Sequence, residues 1–197
     1  MSKLINFGLY LLAFSLPWQT RYIFKLGQLN NGPWEYGTLS LYATDLLLLV
    51  ICLLFLIAKK QKLTPTIYCW LSGGLVILSS VSLLLATDKL IGLMAVARLI
   101  LGLIIFVLIT KQNFHQLKFF GAFILGATLQ ATLGIWQFLS QIGWANKWLG
   151  LTAHDPSELG ASVVEVLAPD GLWERWLRAY GGLDHPNMLG GFLALAI

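Results

Sequence analysis

Long apolar stretches with few charges constrain this chain more than any other feature. Hydrophobic residues make up 57% of it and charged residues 11%, whereas about a quarter of a soluble domain is charged. Because lipid offers the backbone no hydrogen-bonding partner, each stretch is expected to be a helix. The sequence therefore predicts an all-α, polytopic membrane bundle and a single membrane domain over 1–197. The expected spans are 4–18, 41–58, 67–86, 90–110 and 119–142, with the start of a sixth at 186–197.

The first and last apolar stretches are shorter than the others, and each has its own interpretation. The first span follows Lys3 and is short, so a cleaved signal peptide is an alternative; no small-x-small pattern follows Trp18, which favours retention. The last apolar run, Met188 to Ile197, has about half the length that a hydrocarbon core requires. The chain is therefore expected to be truncated within its sixth span and inactive by itself.

The distribution of charge predicts the orientation of the bundle. With the N-terminus in the cytoplasm, the short inner loops at 59–62 and 111–118 carry lysines and no acid. Every Asp and Glu then lies outside or at an outer helix end, in agreement with the positive-inside tendency. The basic residues are divided among separate loops, so the net charge of +4 does not indicate a nucleic-acid partner.

Two longer segments, 19–40 and 143–185, are expected on the outer face. The first contains turn residues without helical period, which predicts a loop. In the second, four large apolar residues recur at helical spacing and predict an amphipathic surface helix over 170–178. Those residues are Leu172, Trp173, Trp176 and Leu177.

A dense polar cluster, R-A-Y-G-G-L-D-H-P-N, occupies residues 178–187 and lies directly before the last apolar run. Pro186 fits the first turn of a helix, where a missing N–H is harmless, and His185 is expected to cap that helix. The free N–H groups and the positive end of the helix dipole would favour an anionic group beside Arg178.

Signatures of common soluble enzymes are absent from the sequence. It has no phosphate-binding Gly-Lys-Ser/Thr loop, no G-x-S-x-G elbow and no HExxH helix. Its three histidines fall on opposite sides of the predicted membrane, and no cysteine spacing supports a metal site. No cofactor and no metal are therefore expected.

The polar cluster followed by L-G-G-F-L resembles the R-x-x-G-x-x-x-x-P-N junction of the O-antigen ligase and O-antigen polymerase superfamily of bacterial envelope proteins. The resemblance implies a metal-independent glycosyltransferase of the bacterial inner membrane, multi-pass and with its functional face extracytoplasmic. Such proteins transfer a glycan from an undecaprenyl diphosphate carrier to an acceptor, which makes lipid the expected partner. Their base histidine lies in a later loop, so the catalytic residue is expected beyond Ile197.

The chemistry of such a transfer selects candidate site residues. A diphosphate leaving group gains negative charge as the glycosidic bond breaks, and fixed positive groups stabilise that charge. Arg178 is the leading candidate because a guanidinium grips phosphate oxygens in pairs, with His185 and Asn187 as supporting donors. The plain alternative is a screened Glu174–Arg178 pair on the surface helix.

Polar residues inside the predicted spans need a separate explanation. Arg98 lies near the centre of the fourth span, where insertion scales assign an arginine about 2.5–3.5 kcal/mol. It is expected to face the bundle interior. Contact with the diphosphate and pairing with Asp45 or Asp88 are both open, and the two are compatible. Gln130 and Gln137 lie on one face of the fifth span, with Gln141 beyond them, and packing between helices is favoured over substrate lining.

Several alternatives stay open at this stage. His154 beside Asp155 is a weaker candidate for a general base, because His-Asp-Pro is also ordinary turn chemistry. A transporter of a lipid-linked glycan or another anion would use a midplane arginine and an interrupted helix, although no internal repeat supports it. A membrane scaffold without chemistry is a third class. Ligase and polymerase, and inverting and retaining transfer, stay equal alternatives.

Overall fold

The computed structural model describes residues 1–29, 32–34, 37–58, 67–158, 160–169 and 171–197. Within these ranges the chain forms six α-helices and three two-stranded sheets, so the prediction of an all-α five-span bundle is wrong. The helices are α1 (Ser2–Ser15), α2 (Ala43–Ala58), α3 (Ile67–Ser82), α4 (Lys89–Lys111), α5 (Gln116–Ser140) and α6 (Pro186–Ala194). The strands are β1 (Arg21–Lys25), β2 (Gln28–Leu29), β3 (Gly32–Pro33), β4 (Leu39–Tyr42), β5 (Val163–Leu167) and β6 (Trp173–Leu177).

Helix length separates two of the predicted spans from the others. Among the described residues, α4 and α5 alone are long and apolar enough to cross a membrane, with 23 and 25 residues. They correspond to the predicted spans 90–110 and 119–142. α2 and α3 have 16 residues each, about 24 Å of helix, which is shorter than a hydrocarbon core of about 30 Å. α1, with 14 residues, and α6, with 9, are shorter still.

The chain divides into two compact units. The first comprises Met1–Leu9 and Tyr22–Phe114, and the second comprises Tyr10–Arg21 and His115–Ile197. A single domain over 1–197 stays a prediction.

In the first unit, the segment predicted as a loop over 19–40 contains strands. β1 pairs with β4, and β2 pairs antiparallel with β3, Gln28 lying opposite Pro33. The sequence of β1, R-Y-I-F-K, is rich in aromatic and β-branched residues, which favour a pleated surface. β4 takes residues 41–42 from the predicted second span, and this shortens α2.

The helices of the first unit are fixed by capping and by small-residue contacts. Asp88 caps α4 by accepting hydrogen bonds from the backbone N–H groups of Leu90 and Ile91, at 2.9 and 3.1 Å. A Cβ at Gly8 of α1 would lie 2.8 Å from the side chain of Ile51, so the two helices approach closely there. Arg98 lies on α4 nine residues after its first residue.

In the second unit, β5 and β6 form an antiparallel hairpin where an amphipathic surface helix over 170–178 was predicted. The register runs from Val163 opposite Leu177 to Leu167 opposite Trp173. The turn is closed by a 2.8 Å hydrogen bond from the N–H of Ala168 to the carbonyl of Leu172. The helix prediction is wrong because the V-V-E-V-L segment, 163–167, offers a strand partner, and P-D-G between the two runs is turn chemistry.

The apolar residues of the predicted surface helix do not share one face. Leu177 is 1% exposed, whereas Leu172 and Trp173 are 66% and 69% exposed at the hairpin tip. Trp176 packs edge-on against Phe138 of α5, with ring centroids 5.8 Å apart. The hairpin is therefore attached to α5 at its base.

Candidate functional site

Arg178 follows β6 directly and makes hydrogen bonds on two sides. Its backbone N–H donates to the carbonyl of Ser162 over 3.1 Å, and its guanidinium donates to Ser162 Oγ over 3.3 Å. A second guanidinium nitrogen donates to Asn187 Oδ1 over 3.2 Å. The structure thus brings together two of the site residues that the sequence predicts.

His185 caps α6, as the sequence predicts. Its backbone is extended, at φ −148° and ψ 141°, and its Nδ1 accepts a hydrogen bond from the N–H of Asn187 over 3.1 Å. Pro186 occupies the first turn. Because Nδ1 is the acceptor, a neutral imidazole carries its proton on Nε2, which is available as a donor. Arg178, His185 and Asn187 therefore cluster at the N-terminal end of one helix.

The charge of Arg178 is not compensated by a carboxylate in the part of the chain that the structure describes. Glu174 accepts a hydrogen bond from Trp176 Nε1 over 3.1 Å. Four residues along a strand span about 13 Å, so Glu174 cannot pair with Arg178 as it would on a helix. The alternative of a screened surface pair is not formed, and the guanidinium of the half-buried Arg178 side chain keeps donors for an anion.

Gln130 and Gln137 of α5, with Gln141 directly after its end, hold the backbone on both sides of Arg178. Gln141 accepts from the N–H of Leu177 over 2.6 Å and donates to its carbonyl over 3.3 Å. Gln137 makes the same pair of bonds with Gly181, both at 2.8 Å. Gln130 accepts from the N–H of Gly182 over 2.5 Å.

These contacts correct the role expected for the glutamines. Packing between helices was favoured, but the amides bind the non-helical segment 177–182 instead. Gln130 and Gln137 are 0% and 2% exposed, so their bonds lie in the protein interior. The spacing of the glutamines on one face of α5 was visible in the sequence, whereas their partners were not.

The two glycines of the segment permit its close approach to α5. Gly181 has a φ of +60°, the left-handed region that disfavours a side chain. A Cβ at Gly181 or at Gly182 would lie 3.0 Å from Oε1 of Gln130. The pair G-G in the polar cluster is the sequence signal that could have predicted this close backbone approach.

His154 stacks on Tyr180, two residues after Arg178. The ring centroids are 3.7 Å apart, with an angle of 19° between the planes, and the Tyr180 hydroxyl accepts from the N–H of Ser162 over 2.7 Å. Burial lowers the pKa of His154, while the charge of Glu158 acts in the opposite direction. The neutral ring is therefore favoured near pH 7.

Asp155 does not orient the imidazole of His154 as a general-base pair would require. Its Oδ1 accepts from the backbone N–H and from the hydroxyl of Ser157, at 2.7 and 2.6 Å. These bonds lower the pKa of Asp155. His-Asp-Pro is therefore turn chemistry at this position.

Arg98 lies in the first unit and forms no ion pair within the described residues. Its Cζ lies 5.4 Å from the centroid of the Tyr42 ring, a cation–π contact. The carboxylate of Asp45 accepts from the N–H of Tyr42, and that of Asp88 caps α4. The expected pairing with either carboxylate is not formed. Arg98 and Arg178 belong to different units, and their joint contact with a diphosphate stays a prediction.

Comparison with protein-family models, with curated proteins and with solved structures found no match. The resemblance to O-antigen ligases and polymerases therefore depends on residues 178–187 and the apolar run after them. In the described part of the chain, no three His, Cys, Asp or Glu side chains are grouped to hold a metal ion.

Proposed function

We propose that this protein is a glycosyltransferase of the O-antigen ligase or polymerase type, acting on a glycan carried by undecaprenyl diphosphate. The observation that carries the proposal is the half-buried side chain of Arg178, whose guanidinium donates to Asn187 at the start of α6 and pairs with no carboxylate among the described residues. A fixed cation beside a helix N-terminus favours a phosphorylated ligand.

In the proposed transfer, the side chains clustered at the start of α6 stabilise the leaving group. An acceptor hydroxyl oxygen attacks the anomeric carbon, the bond from that carbon to the diphosphate oxygen breaks, and the electron pair stays on the diphosphate. Arg178 stabilises the resulting negative charge, and the N–H groups of the first turn of α6 add dipolar stabilisation. His185 Nε2 and the Asn187 side-chain amide are further donors. No residue of this chain is assigned as the base that takes the hydroxyl proton.

The length of α5 supports a membrane location for this site. The helix has 25 residues, about 38 Å, which exceeds a hydrocarbon core of about 30 Å. Only 22% of its apolar stretch is buried in protein, and in α4 the value is 6%, so the remaining apolar surface favours lipid. Gln137, which binds the segment carrying Arg178, is three residues from the end of α5. Arg178 would then lie near the depth of lipid phosphates.

The proposed orientation follows from the lysines around the connection between α4 and α5. Lys111 and Lys118 flank this connection, and basic residues next to a span favour the cytoplasmic side. Residues 143–185 would then be extracytoplasmic, in the inner membrane of a bacterium. That is the side on which a glycan ligase or polymerase meets its carrier.

Carrier binding tests the proposal with two matched arginine variants. Arg178→Ala should weaken the binding of a short-chain polyprenyl diphosphate to the protein in nanodiscs by on the order of tenfold or more, because a charge-assisted pair of hydrogen bonds is lost. Arg175→Ala is the control, since Arg175 is exposed on the hairpin and donates to the carbonyl of Ser157 at 3.4 Å. Equal binding by both variants and the unaltered protein would contradict the proposal.

A second readout distinguishes transfer from transport. Incubation with a glycan-bearing carrier and an acceptor should release free polyprenyl diphosphate when the complete protein is used. Movement of an intact carrier between leaflets, without release, would instead indicate the transporter.

A further inference from the structure

Gln137 of α5 and Gln141, the residue after this helix, bind the backbone of the segment 177–182 through both a donor and an acceptor, as a neighbouring strand would. Gln141 pairs with both backbone groups of Leu177, and Gln137 pairs with both backbone groups of Gly181. Leu177 directly precedes Arg178, and Gly181 follows it by three residues. The backbone is thus held on each side of the arginine.

Burial within the protein explains why such partners are needed. Backbone that is buried and not helical must find its hydrogen bonds within the protein, because water does not reach it. Residues 180–183 are buried and outside any helix or strand. Side-chain amides are suited to this task because each offers one donor and one acceptor group.

We propose that Gln137 and Gln141 are positioning residues for Arg178, holding its backbone so that the guanidinium stays on Asn187 and faces the lipid phosphate. This inference rests on the proposed function for its ligand. The four hydrogen bonds from Gln137 and Gln141 to the backbone of Gly181 and Leu177, called the clamp below, can be measured without that ligand. Neither glutamine is a catalytic residue, since both act through the backbone of the segment.

Gln130 provides a matched control on the same helix and the same face. It is as buried as Gln137 and also accepts a backbone N–H, that of Gly182. Its Nε2, however, has no hydrogen-bond partner among the described residues. Replacing Gln130 by Glu therefore removes no bond to the segment, whereas the same change at Gln137 removes the donor to the Gly181 carbonyl. Both changes introduce a buried carboxyl, so the cost of burying it is common to the two variants and their difference reports the lost donor.

Acidic pH should restore the hydrogen bond that the Gln137→Glu change removes. A protonated carboxyl offers one donor and one acceptor, as the amide does, so Gln137→Glu should keep both bonds at acidic pH. The ionised carboxylate only accepts, and one of its oxygens would then face the carbonyl oxygen of Gly181. The defect should appear as pH rises and disappear as pH falls.

The first measurement is amide hydrogen exchange of a peptide covering 177–183, in the full chain in nanodiscs, between pH 5 and pH 8. At pH 8, Gln137→Glu should exchange on the order of tenfold faster than the unaltered protein, because a buried acceptor loses its partner. At pH 5 the two should converge. Gln130→Glu buries a carboxyl as well but loses no donor, so at pH 8 it should exchange more slowly than Gln137→Glu, and at pH 5 it should follow the unaltered protein.

The second measurement is the affinity for a short-chain polyprenyl diphosphate under the same conditions. It should fall with Gln137→Glu at pH 8, recover at pH 5, and fall less with Gln130→Glu at pH 8. Other titratable groups on the elements around this face are present in every variant, so comparison at equal pH removes their effect. They are His154, Asp155, Glu158, Glu165, Glu174, Arg175, Arg178, Tyr180, Asp184 and His185.

Each outcome gives a definite result. Unchanged exchange in Gln137→Glu at pH 8, or an equal change in Gln130→Glu, would overturn the clamp. Faster exchange with unchanged carrier affinity would overturn the positioning role. If Arg178→Ala itself binds carrier normally, the proposed function fails, while the exchange data still decide whether the glutamines hold the segment.

Discussion

At the scale of single residues, Gln141 adopts an unfavourable backbone conformation while its side chain binds a residue 36 positions further along the chain. It ends α5 with a φ of 55°, in the left-handed region where glycine is usually preferred. A side chain in this region costs about 1–2 kcal/mol. The two bonds from its amide to Leu177 offset that cost. Backbone strain at a helix end therefore coincides with the attachment point of the site segment.

His154 gives a pH prediction at the same scale. Burial lowers the pKa of its imidazole below the ordinary value of 6.5, so the unfolded segment binds a proton more readily than the folded one. The free energy of unfolding of the loop that stacks His154 on Tyr180 is highest above pH 6.5 and falls as the pH drops through the lowered pKa. His154→Phe keeps a ring against Tyr180 and should abolish the loss between pH 6.5 and 5. Hydrogen exchange of residues 151–162 measures it; identical pH profiles in both proteins would contradict the prediction.

At the scale of elements, the two kinds of error in the sequence prediction have different causes. α4 and α5 were predicted because a long apolar run specifies a helix without reference to any partner. The β5–β6 hairpin was missed because a five-residue strand fits helical and alternating periods equally well over so short a length. Its pairing with residues 163–167 removes the ambiguity. Short elements therefore depend on a partner that the local sequence does not reveal.

The contact between α1 and α5 in the second unit gives a prediction at this scale. A Cβ at Gly126 would meet the backbone carbonyl of Phe14, so Gly126→Ala should lower the free energy of unfolding by about 1–3 kcal/mol. Gly121 has open space around its Cβ position, and Gly121→Ala should be neutral or stabilising by up to about 1 kcal/mol. Thermal unfolding in detergent measures both. Equal effects would show that Gly126 is not a packing contact.

At the scale of the whole molecule, exposed apolar surface is the dominant property. α4 and α5 leave most of their apolar stretches uncovered, and burial of this surface in lipid is the largest favourable term available to it. In the second unit, α5, α6 and the β5–β6 hairpin carry the polar site. The molecule therefore combines two helices of membrane-spanning length with smaller elements that position Arg178.

Membrane topology is the prediction that belongs to this scale. If α5 crosses the bilayer, its two ends lie on opposite sides, and a cysteine at position 113 or 157 should report them. In spheroplasts of a cysteine-free background, Ser157→Cys should react with a membrane-impermeant maleimide, and Asn113→Cys should react only after permeabilisation. Labelling of both positions from one side would show that α5 does not cross.

The sequence by itself determined the features that depend on neighbours along the chain. These are the two long apolar helices and the start of α6, where Pro186 and His185 act within one turn. Only the tertiary structure decided where Gln130 and Gln137 of α5, and Gln141 after it, direct their amides. Gln141, Gln137 and Gln130 bind residues that follow them by 36, 44 and 52 positions. No local period encodes contacts over such separations, because they depend on how the chain returns to α5 after the hairpin.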